Sequence, residues 1–359
     1  MNIDEIRERW ADPLLTGLTA LLMIMMFVVS PLQALGIFAF QASELVLALL
    51  LVVGGTTIDN HRFLSTTNVQ QVLSSASIIA LLAIGETIVI VTRNVDLSIG
   101  SVLGISAYAT GQLYVHHPHV PLALVFLLAL GIGVGCGIVN GLIVTVARVP
   151  SLVVTLGMLY IIRGIDGAWA GGNQVNASML PDSFNKIGYG TIAGVPYLGI
   201  IAIVAVAIAT YAMRTFRTAR DFYAIGSDPD AARVAGIPVG WRVFLAFVLS
   251  GAIAGVAGAV WLSYYGSVDA IAGDGYEFQV IAAVVVGGVA IFGGSGSVLG
   301  AALGALLLNT INSALVVVNV SSFWSQALAG GLLVGAIAFD RLIAVRVAPA
   351  LRTRRRVRV

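Results

Sequence analysis

Apolar runs long enough to cross a lipid bilayer recur along almost the whole chain, and they leave few possible folds. Hydrophobic residues make up 58% of the 359 residues, and charged residues only 10%. A helix of about 20 apolar residues matches the thickness of the hydrocarbon core. Backbone polar groups in lipid must be bonded within the segment, and these runs lack the alternation of barrel strands. We therefore expect an all-α polytopic membrane protein.

Arginines are concentrated in a polar loop at 213–241 and in a basic tail at 341–359. The positive-inside rule places both segments in the cytoplasm. Membrane spans are then predicted near 72–92, 98–115, 121–146, 151–170, 195–213, 243–265, 278–292, 298–318 and 323–340. Two more apolar runs lie within 11–58, and whether both cross the membrane, and on which side the chain starts, stays open. We favour about ten transmembrane helices plus one extra N-terminal apolar segment, in a single domain over 1–359.

Glycines recur at helical spacing inside several predicted spans, as close approach between helix backbones requires. This interpretation is favoured over a role in gating or in a subunit interface. The glycines are Gly131, Gly133, Gly135, Gly137, Gly141, Gly251, Gly255, Gly296, Gly300 and Gly304. The string GSVLG occurs at 100–104 and again at 296–300, which hints at an internal duplication.

The chain lacks the common catalytic and metal-binding motifs. Lys186 is the only lysine and lies outside any P-loop pattern, so an ATP-driven step would need another chain. The single cysteine, Cys136, has no nearby histidine, and no HExxH or CxxC occurs. We expect no catalytic residues, no metal site and no cofactor bound by this chain.

The loop at 213–241 contains a short predicted helix over 228–236. Asp228 can cap it, Pro229 fits its first turn, and Gly236 ends it. Asp230 and Arg233 suit the helix dipole, and the alanines at 231, 232 and 235 give a low surface able to enter a groove. The spacing alone leaves two alternatives open, a docking helix of about 10 Å or a capped connector resting on the bilayer.

Three stretches resemble the permease subunits of bacterial ABC sugar importers of the ribose type. The segment ARDFYAIGSDPDAARVAGI looks like their cytoplasmic coupling segment. TRNVDLSIGSVLG from Thr92 and GDGYEFQVIAAVVVGGVAIFGGSGSVLGAALGA from Gly273 are similar to two further family motifs. Arg93 and Asn94 replace small residues usual in the family, and Asp228 stands where Asn is common; both changes resemble the autoinducer-2 and rhamnose branches.

The resemblance implies a permease subunit in the bacterial inner membrane that moves a small sugar or sugar-like solute by alternating access. Its implied partners are a cytoplasmic ATPase carrying ATP and Mg²⁺, an extracytoplasmic solute-binding protein and a second permease, identical or related. The implied ATPase-coupling residues are Arg220, Tyr223, Gly226, Asp228, Asp230, Ala231, Ala232, Arg233 and Gly236. The solute itself, and the choice between homodimer and heterodimer, stay open.

Polar residues within or beside the spans are candidates for the translocation path, because a charge in lipid is costly and normally faces a cavity or the bundle interior. They are Glu86, Asp96, Ser98, Asn140 and Asn309. Helix capping is favoured for Asp96 and Ser98, and helix bridging for the two asparagines, whereas path lining and an internal hydrogen bond are equal alternatives for Glu86.

Other polar residues fall near the predicted outer ends of the spans. Arg163 and Asp166 are three apart on one helix and are predicted to pair. Asp274, Tyr276 and Glu277 follow an external loop and either contact the binding protein or cap the next span.

An ion-coupled secondary transporter is the alternative function. It predicts uptake that is independent of ATP and an essential carboxylate in the membrane, such as Glu86.

Overall fold

The computed structural model describes residues 61–317 without a gap, together with scattered residues within 45–56 and 324–338. Most of the predicted N-terminal apolar runs, much of the predicted span at 323–340 and the tail at 341–359 therefore lie outside the described residues. Distances between Cα atoms group residues 70–306 into one compact unit, and the described residues on either side into a second.

Eleven α-helices occur between residues 61 and 317. They are α1 (Thr66–Val91), α2 (Ile99–His116), α3 (Leu122–Thr145), α4 (Ser151–Ala170), α5 (Asp182–Tyr189), α6 (Tyr197–Thr215), α7 (Arg217–Ser227), α8 (Pro229–Val234), α9 (Val239–Tyr265), α10 (Tyr276–Val286) and α11 (Val298–Val317). Two short antiparallel strands, β1 (Thr191–Ile192) and β2 (Val195–Pro196), precede α6. Two 3-10 helices span His61–Leu64 and Ala177–Met179.

Six helices of the described part are long and apolar enough to cross a membrane: α1, α3, α4, α6, α9 and α11. The polytopic helical fold predicted from composition is thus confirmed, whereas the count of ten spans plus one segment stays a prediction. The bounds of α2, α3 and α4 agree with the predicted spans to within one residue at each end.

The helix α1 forms the centre of the residue 70–306 unit along most of its length. Every residue from Ile78 to Val91 is buried. Other parts of the protein therefore surround α1 on all sides over this length. The buried residues of α3, in contrast, form one stripe four residues apart, with Val125, Ala129, Gly133 and Gly137.

The glycine stripe of α3 packs directly against α9. A Cβ atom added at Gly133 or Gly137 would collide with the α9 backbone, and one at Gly251 or Gly255 would collide with the α3 backbone. The predicted close packing of helices is confirmed here. Gly131 faces the other way, with no described atom near its missing Cβ.

The predicted span at 278–292 is wrong at its C-terminal end. The helix α10 ends at Val286, and a turn occupies 287–297. Gly288, Gly293 and Gly294 adopt positive φ angles of 84°, 82° and 79°, which a continuing helix cannot contain. This glycine-rich turn lies beside α7.

The connection between α1 and α2 folds back into the bundle. Arg93 adopts a φ of 66°, after which residues 94–98 run back along α1. The start of α4 holds this return, because the Ser151 hydroxyl accepts from the Val95 amide at 3.3 Å and the Thr155 hydroxyl donates to the Val95 carbonyl at 3.2 Å. The return brings Asp96 beside Glu86.

The loop 266–275, between α9 and α10, lies at the end of the bundle away from α7 and α8. Val268 in this loop exchanges two backbone hydrogen bonds of 3.0 Å with Val175. Phe184 of α5, Tyr114 of α2 and Leu262 of α9 are buried together beneath these connections. In the second compact unit, the Ser313 hydroxyl donates to the Asn68 side chain at 2.8 Å.

Candidate functional site

The polar loop contains two helices, of which the sequence predicted one. The short helix α8 starts where predicted, with Pro229 in its first turn and the Asp228 carboxylate accepting from the amides of Asp230 and Ala231 at 2.9 and 3.0 Å. The Ala231 and Asp230 amides hold the pKa of Asp228 below its usual value. Arg233 pairs with Asp230 at 2.7 Å. The capped helix is therefore complete without any partner.

The faces of α8 differ from the prediction at one alanine. Ala231 and Ala235 are exposed, but Ala232 is only 3% exposed and points back into the protein. Ala232 is therefore removed from the predicted docking surface, because it packs beneath the helix. Val234 takes its place, since its side chain is 90% exposed at the tip.

The preceding helix, α7, was not predicted, although its sequence RTARDFYAIGS has the required pattern. Ala219, Phe222 and Ile225 are buried, whereas Arg217 and Arg220 are exposed. This spacing of three places the apolar residues on one face. The polar composition of the loop as a whole concealed the pattern.

Arg93 joins this segment to the turn between α1 and α2. Its Nε donates to the Gly226 carbonyl at 2.5 Å and its Nη2 donates to the Ser227 carbonyl at 2.6 Å. Both acceptors lie at the C-terminal end of α7, where a cation is favourable. Arg93 entered the sequence analysis only as a departure from a family pattern.

Gly226 brings the backbone of α7 against two other connections. A Cβ atom there would collide with Val91 of α1 and with Gly294 of the glycine-rich turn. The Gly294 amide also donates to the Val91 carbonyl at 2.9 Å, and Tyr223 donates to the Gly296 carbonyl at 3.0 Å. The α7 helix thus contacts the ends of α1 and α10 together.

Two more contacts involve side chains at α7, and a glycine of positive φ follows α8. Arg242 of α9 pairs with Asp221 of α7 at 2.8 Å, and both side chains are largely buried. Arg220 donates to the Thr215 carbonyl at 3.1 Å, and Gly236 follows α8 with a φ of 80°. All nine predicted coupling residues therefore lie in or beside α7 and α8, with Tyr223, Gly226 and Ala232 on the inward side.

Four of the five predicted path residues lie together in the bundle, joined by Ser250. We name Glu86, Asp96, Ser98, Asn140 and Ser250 the Asp96 cluster. Each is at most 2% exposed. Ser250 could not be singled out from the sequence, because serines are common in such helices.

Most polar side-chain atoms of the Asp96 cluster are hydrogen-bonded to other members of the cluster. Asp96 Oδ1 accepts from the Ser98 amide at 3.0 Å and from the Ser98 hydroxyl at 2.6 Å, and Oδ2 accepts from Ser250 at 3.1 Å. The Asn140 amide donates to Ser98 Oγ at 2.8 Å, and the Asp96 amide donates to Glu86 Oε1 at 3.2 Å. Only Glu86 Oε2 and Asn140 Oδ1 have no partner among the described residues.

Asp96 rather than Ser98 makes a side-chain bond at the start of α2, because its Oδ1 accepts from the Ser98 amide just before the first helical residue, Ile99. Ser98 occupies the N-cap position, but its side chain makes no capping bond. The fifth path candidate, Asn309, is buried in α11, within the second compact unit.

A second group of buried charges lies at the end of the bundle that bears loop 266–275. We name Arg163, Asp166 and Glu277 the Arg163 cluster. The predicted pair of Arg163 with Asp166 is wrong in its partner, because Arg163 Nη1 donates to the Ala272 carbonyl at 2.5 Å and Nη2 lies 3.7 Å from Asp274. Asp166 is 1% exposed, and neither of its oxygens has a hydrogen-bond partner within the described part of the chain.

The three residues predicted to follow the external loop have different surroundings. Asp274 has a 76% exposed side chain. The Tyr276 hydroxyl accepts from Trp261 and bonds to Tyr265, both at 3.1 Å. Glu277 is only 4% exposed and lies against Gly100 of α2, so in this conformation it is not on a surface that a binding protein could touch.

Comparison with known proteins agrees with this arrangement. A family described as the permease component of branched-chain amino acid transport systems matches residues 68–337, well over half of the chain. The chain belongs to this permease family. It is 36% identical over 294 residues to the autoinducer 2 import system permease protein LsrC of Enterobacter sp. (strain 638), covering 82% of this chain and 84% of the relative.

Further relatives have the same name. The LsrC protein of Escherichia coli (strain K12 / DH10B) is 36% identical over 281 residues, or 78% of this chain and 81% of the relative. That of Salmonella paratyphi B is 35% identical over 300 residues, or 84% and 85%. No solved structure matches the chain. The protein is thus the membrane permease component of an ABC importer, in the inner membrane, and not itself an enzyme.

Importers of this kind generally combine the permease with an ATPase and a solute-binding protein. In the described part of this permease, no group of three or more His, Cys, Asp or Glu residues could hold a metal ion.

Proposed function

We propose that this permease imports a small sugar or sugar-like solute by alternating access, and that a separate cytoplasmic ATPase drives it through α7 and α8. Autoinducer 2 is one candidate solute, from the name of the relatives. The bonds from Arg93 to the end of α7 support the coupling role most strongly, since they connect α7 to the turn between α1 and α2.

The surface of α8 fits a docking role. Val234 and Ala231 are exposed apolar side chains with charged neighbours, Asp230 and Arg233, which pair with each other instead of opposing a partner. Burial of the 90% exposed Val234 side chain in a partner groove would be favourable.

A short series of contacts connects the α7–α8 segment to the interior of the bundle. The Ser227 and Gly226 carbonyls bond to Arg93, the Arg93 turn continues into the return segment, and that segment contains Asp96. Displacement of α7 would therefore move the α1–α2 connection and the glycine-rich turn together. This is the kind of rigid-element motion that alternating access requires.

The proposal implies one orientation and one set of partners. The α7–α8 end and the basic tail at 341–359 are in the cytoplasm, and loop 266–275 faces the binding protein, with Asp274 and Tyr276 as contact candidates. A second permease, the same chain or a related one, completes the transporter. Glu86, Asp96, Ser98, Asn140 and Asn309 stay candidates for contact with the solute path.

The docking surface can be tested by substituting Val234→Trp. The indole would be too large for a groove shaped to valine, so uptake of a labelled sugar and co-purification of the ATPase should both fall by about tenfold or more. Ser178→Trp, at an exposed position in the 3-10 helix of the opposite end, is the matched control and should keep the ATPase bound. Normal ATPase recovery with Val234→Trp would contradict docking at α8.

The connection that Arg93 makes between α7 and the α1–α2 turn can be tested by substituting Arg93→Gly. Glycine accepts the positive φ of this position, so the change removes two hydrogen bonds without adding backbone strain. The ATPase should still co-purify, but uptake per ATP hydrolysed should fall several-fold, and Arg93→Lys should restore it in part. Unchanged coupling in Arg93→Gly would show that force enters the bundle elsewhere.

A further inference from the structure

The Arg163 cluster is built from two separate parts of the chain. Arg163 and Asp166 lie on α4, three residues apart, and Glu277 lies in the first turn of α10. Arg163 is close enough to both carboxylates for their charges to interact. A positive group therefore lies near two negative ones inside the bundle.

The cluster contains donors and acceptors that the described residues leave unpaired. Both Asp166 oxygens, Glu277 Oε2, and the Nε and Nη2 atoms of Arg163 are buried without a hydrogen-bond partner there. Asp166 and Glu277 are 1% and 4% exposed. Buried charged groups without hydrogen bonds are costly and uncommon, so their retention needs a reason other than the stability of this conformation.

Loop 266–275 covers the cluster on one side. Arg163 donates to the Ala272 carbonyl of the loop and lies near Asp274. Gly104 and Gly100 of α2 lie under the same loop, where a Cβ at either position would collide with it. Outward movement of residues 269–274 would break the two Arg163 contacts and the close glycine packing and would expose the buried Ala272. It would open the cluster from the end that faces an arriving solute.

Backbone hydrogen bonds hold loop 266–275 over the cluster. Val268 is joined to Val175 by two backbone hydrogen bonds, and Ile271 is 71% exposed at its tip. The cover is thus held at Val268 and at Ala272, and it presents an apolar side chain outward. A binding protein that contacts Ile271 could displace it.

We propose that Arg163, Asp166 and Glu277 form a binding site for a neutral, polyhydroxylated solute, covered by loop 266–275. The proposal rests on the proposed sugar import and names the part of the path that would meet the solute. Each hydroxyl of a sugar both donates and accepts, and the cluster offers unpaired acceptors on two carboxylates and unpaired donors on one guanidinium. Because the cluster contains two carboxyl groups and Asp274 lies beside its one guanidinium, it disfavours an anionic solute.

Saturation-transfer NMR on the purified permease in detergent tests the site directly, because it detects weak binding. The probes are D-ribose and L-rhamnose, with leucine as a zwitterion and ribose 5-phosphate as an anion. The wild type should bind a neutral sugar and neither control. Asp166→Asn and Glu277→Gln should each weaken its apparent affinity about tenfold or more, because each loses a charge-assisted hydrogen bond.

Two variants show that such a loss is specific. Asp182→Asn removes an exposed carboxylate from α5 at the same end and should leave binding unchanged. Arg163→Lys keeps the charge without the planar fork and should bind better than Arg163→Gln. Binding of the sugar by Asp166→Asn and Glu277→Gln at wild-type affinity, or binding of leucine instead, would overturn the site.

Uptake by cells separates this site from the proposed function. If wild-type cells import the sugar with ATP while the Asp166 and Glu277 variants import it equally well, the site is wrong and the function stands. If wild-type cells import none of the neutral sugars offered, the proposed sugar import is contradicted, and the site that rests on it is contradicted as well.

Discussion

The Asp96 cluster and the Arg163 cluster are both groups of buried charges in one helical bundle, but they differ in what their polar atoms touch. Asp96 accepts three hydrogen bonds within its cluster. Asp166 accepts none from any described residue. A network in which most hydrogen bonds are made stabilises one arrangement of helices, whereas carboxyl groups without any hydrogen bond need another group to complete them. The difference suggests architecture in the first case and solute contact in the second.

The position of each cluster fits its contacts. The Asp96 cluster joins α1, α3 and α9 to the return segment that Arg93 connects to α7. Rigidity there would transmit movement from α8 into the bundle. The Arg163 cluster lies beneath loop 266–275, which Val175 and Arg163 hold by hydrogen bonds.

The largest effect that this comparison predicts is loss of the folded protein when Asp96 is removed. Asp96→Ala leaves the amide and the hydroxyl of Ser98 and the hydroxyl of Ser250 without their acceptor. The free energy of unfolding should therefore fall by about 3 kcal/mol or more. Thermal unfolding of the purified permease should occur at a clearly lower temperature, and less protein should reach the membrane. Asp96→Asn, which keeps one acceptor oxygen, is the control and should lose less.

A wild-type melting temperature in Asp96→Ala would show that this network contributes nothing to stability. The distinction between the clusters would then be lost, since both would consist of charges that the fold can spare.

The smallest predicted effect on stability belongs to Asp166→Asn. Because the described residues give its oxygens no hydrogen bonds, the change breaks none of these. It removes an interaction with the Arg163 charge and also the cost of burying a carboxyl group, so the free energy of unfolding should change by less than about 1 kcal/mol. Differential scanning fluorimetry of the purified protein measures this. A loss as large as that in Asp96→Ala would instead show that Asp166 belongs to the architecture.

Much of the fold could be predicted because its causes are local. The bounds of α2, α3 and α4 follow from apolar runs interrupted by Pro121 and Pro150. The N-terminus of α8 follows from Asp228 and Pro229, and the packing of α3 on α9 follows from glycines four residues apart.

The remaining features depend on contacts between distant residues. No periodicity shows that residues 94–98 fold back to place Asp96 beside Glu86, or that Arg163 prefers a carbonyl 109 residues away to Asp166 three residues away. The inward face of Ala232 was missed for the same reason, since a six-residue helix has no pattern long enough to tell its two sides apart. The premature end of α10, in contrast, could have been read from its glycines.

The comparison is tested most directly by the initial rate of labelled sugar uptake, divided by the amount of folded permease in the membrane, for Asp166→Asn and Asp96→Asn side by side. We expect Asp166→Asn to fold in normal amounts and to transport at less than about one tenth of the wild-type rate. We expect Asp96→Asn to be present in smaller amounts and to transport at nearly the wild-type rate per folded molecule. The opposite pattern, with Asp166→Asn active and Asp96→Asn folded but inactive, would contradict the roles assigned to the two clusters.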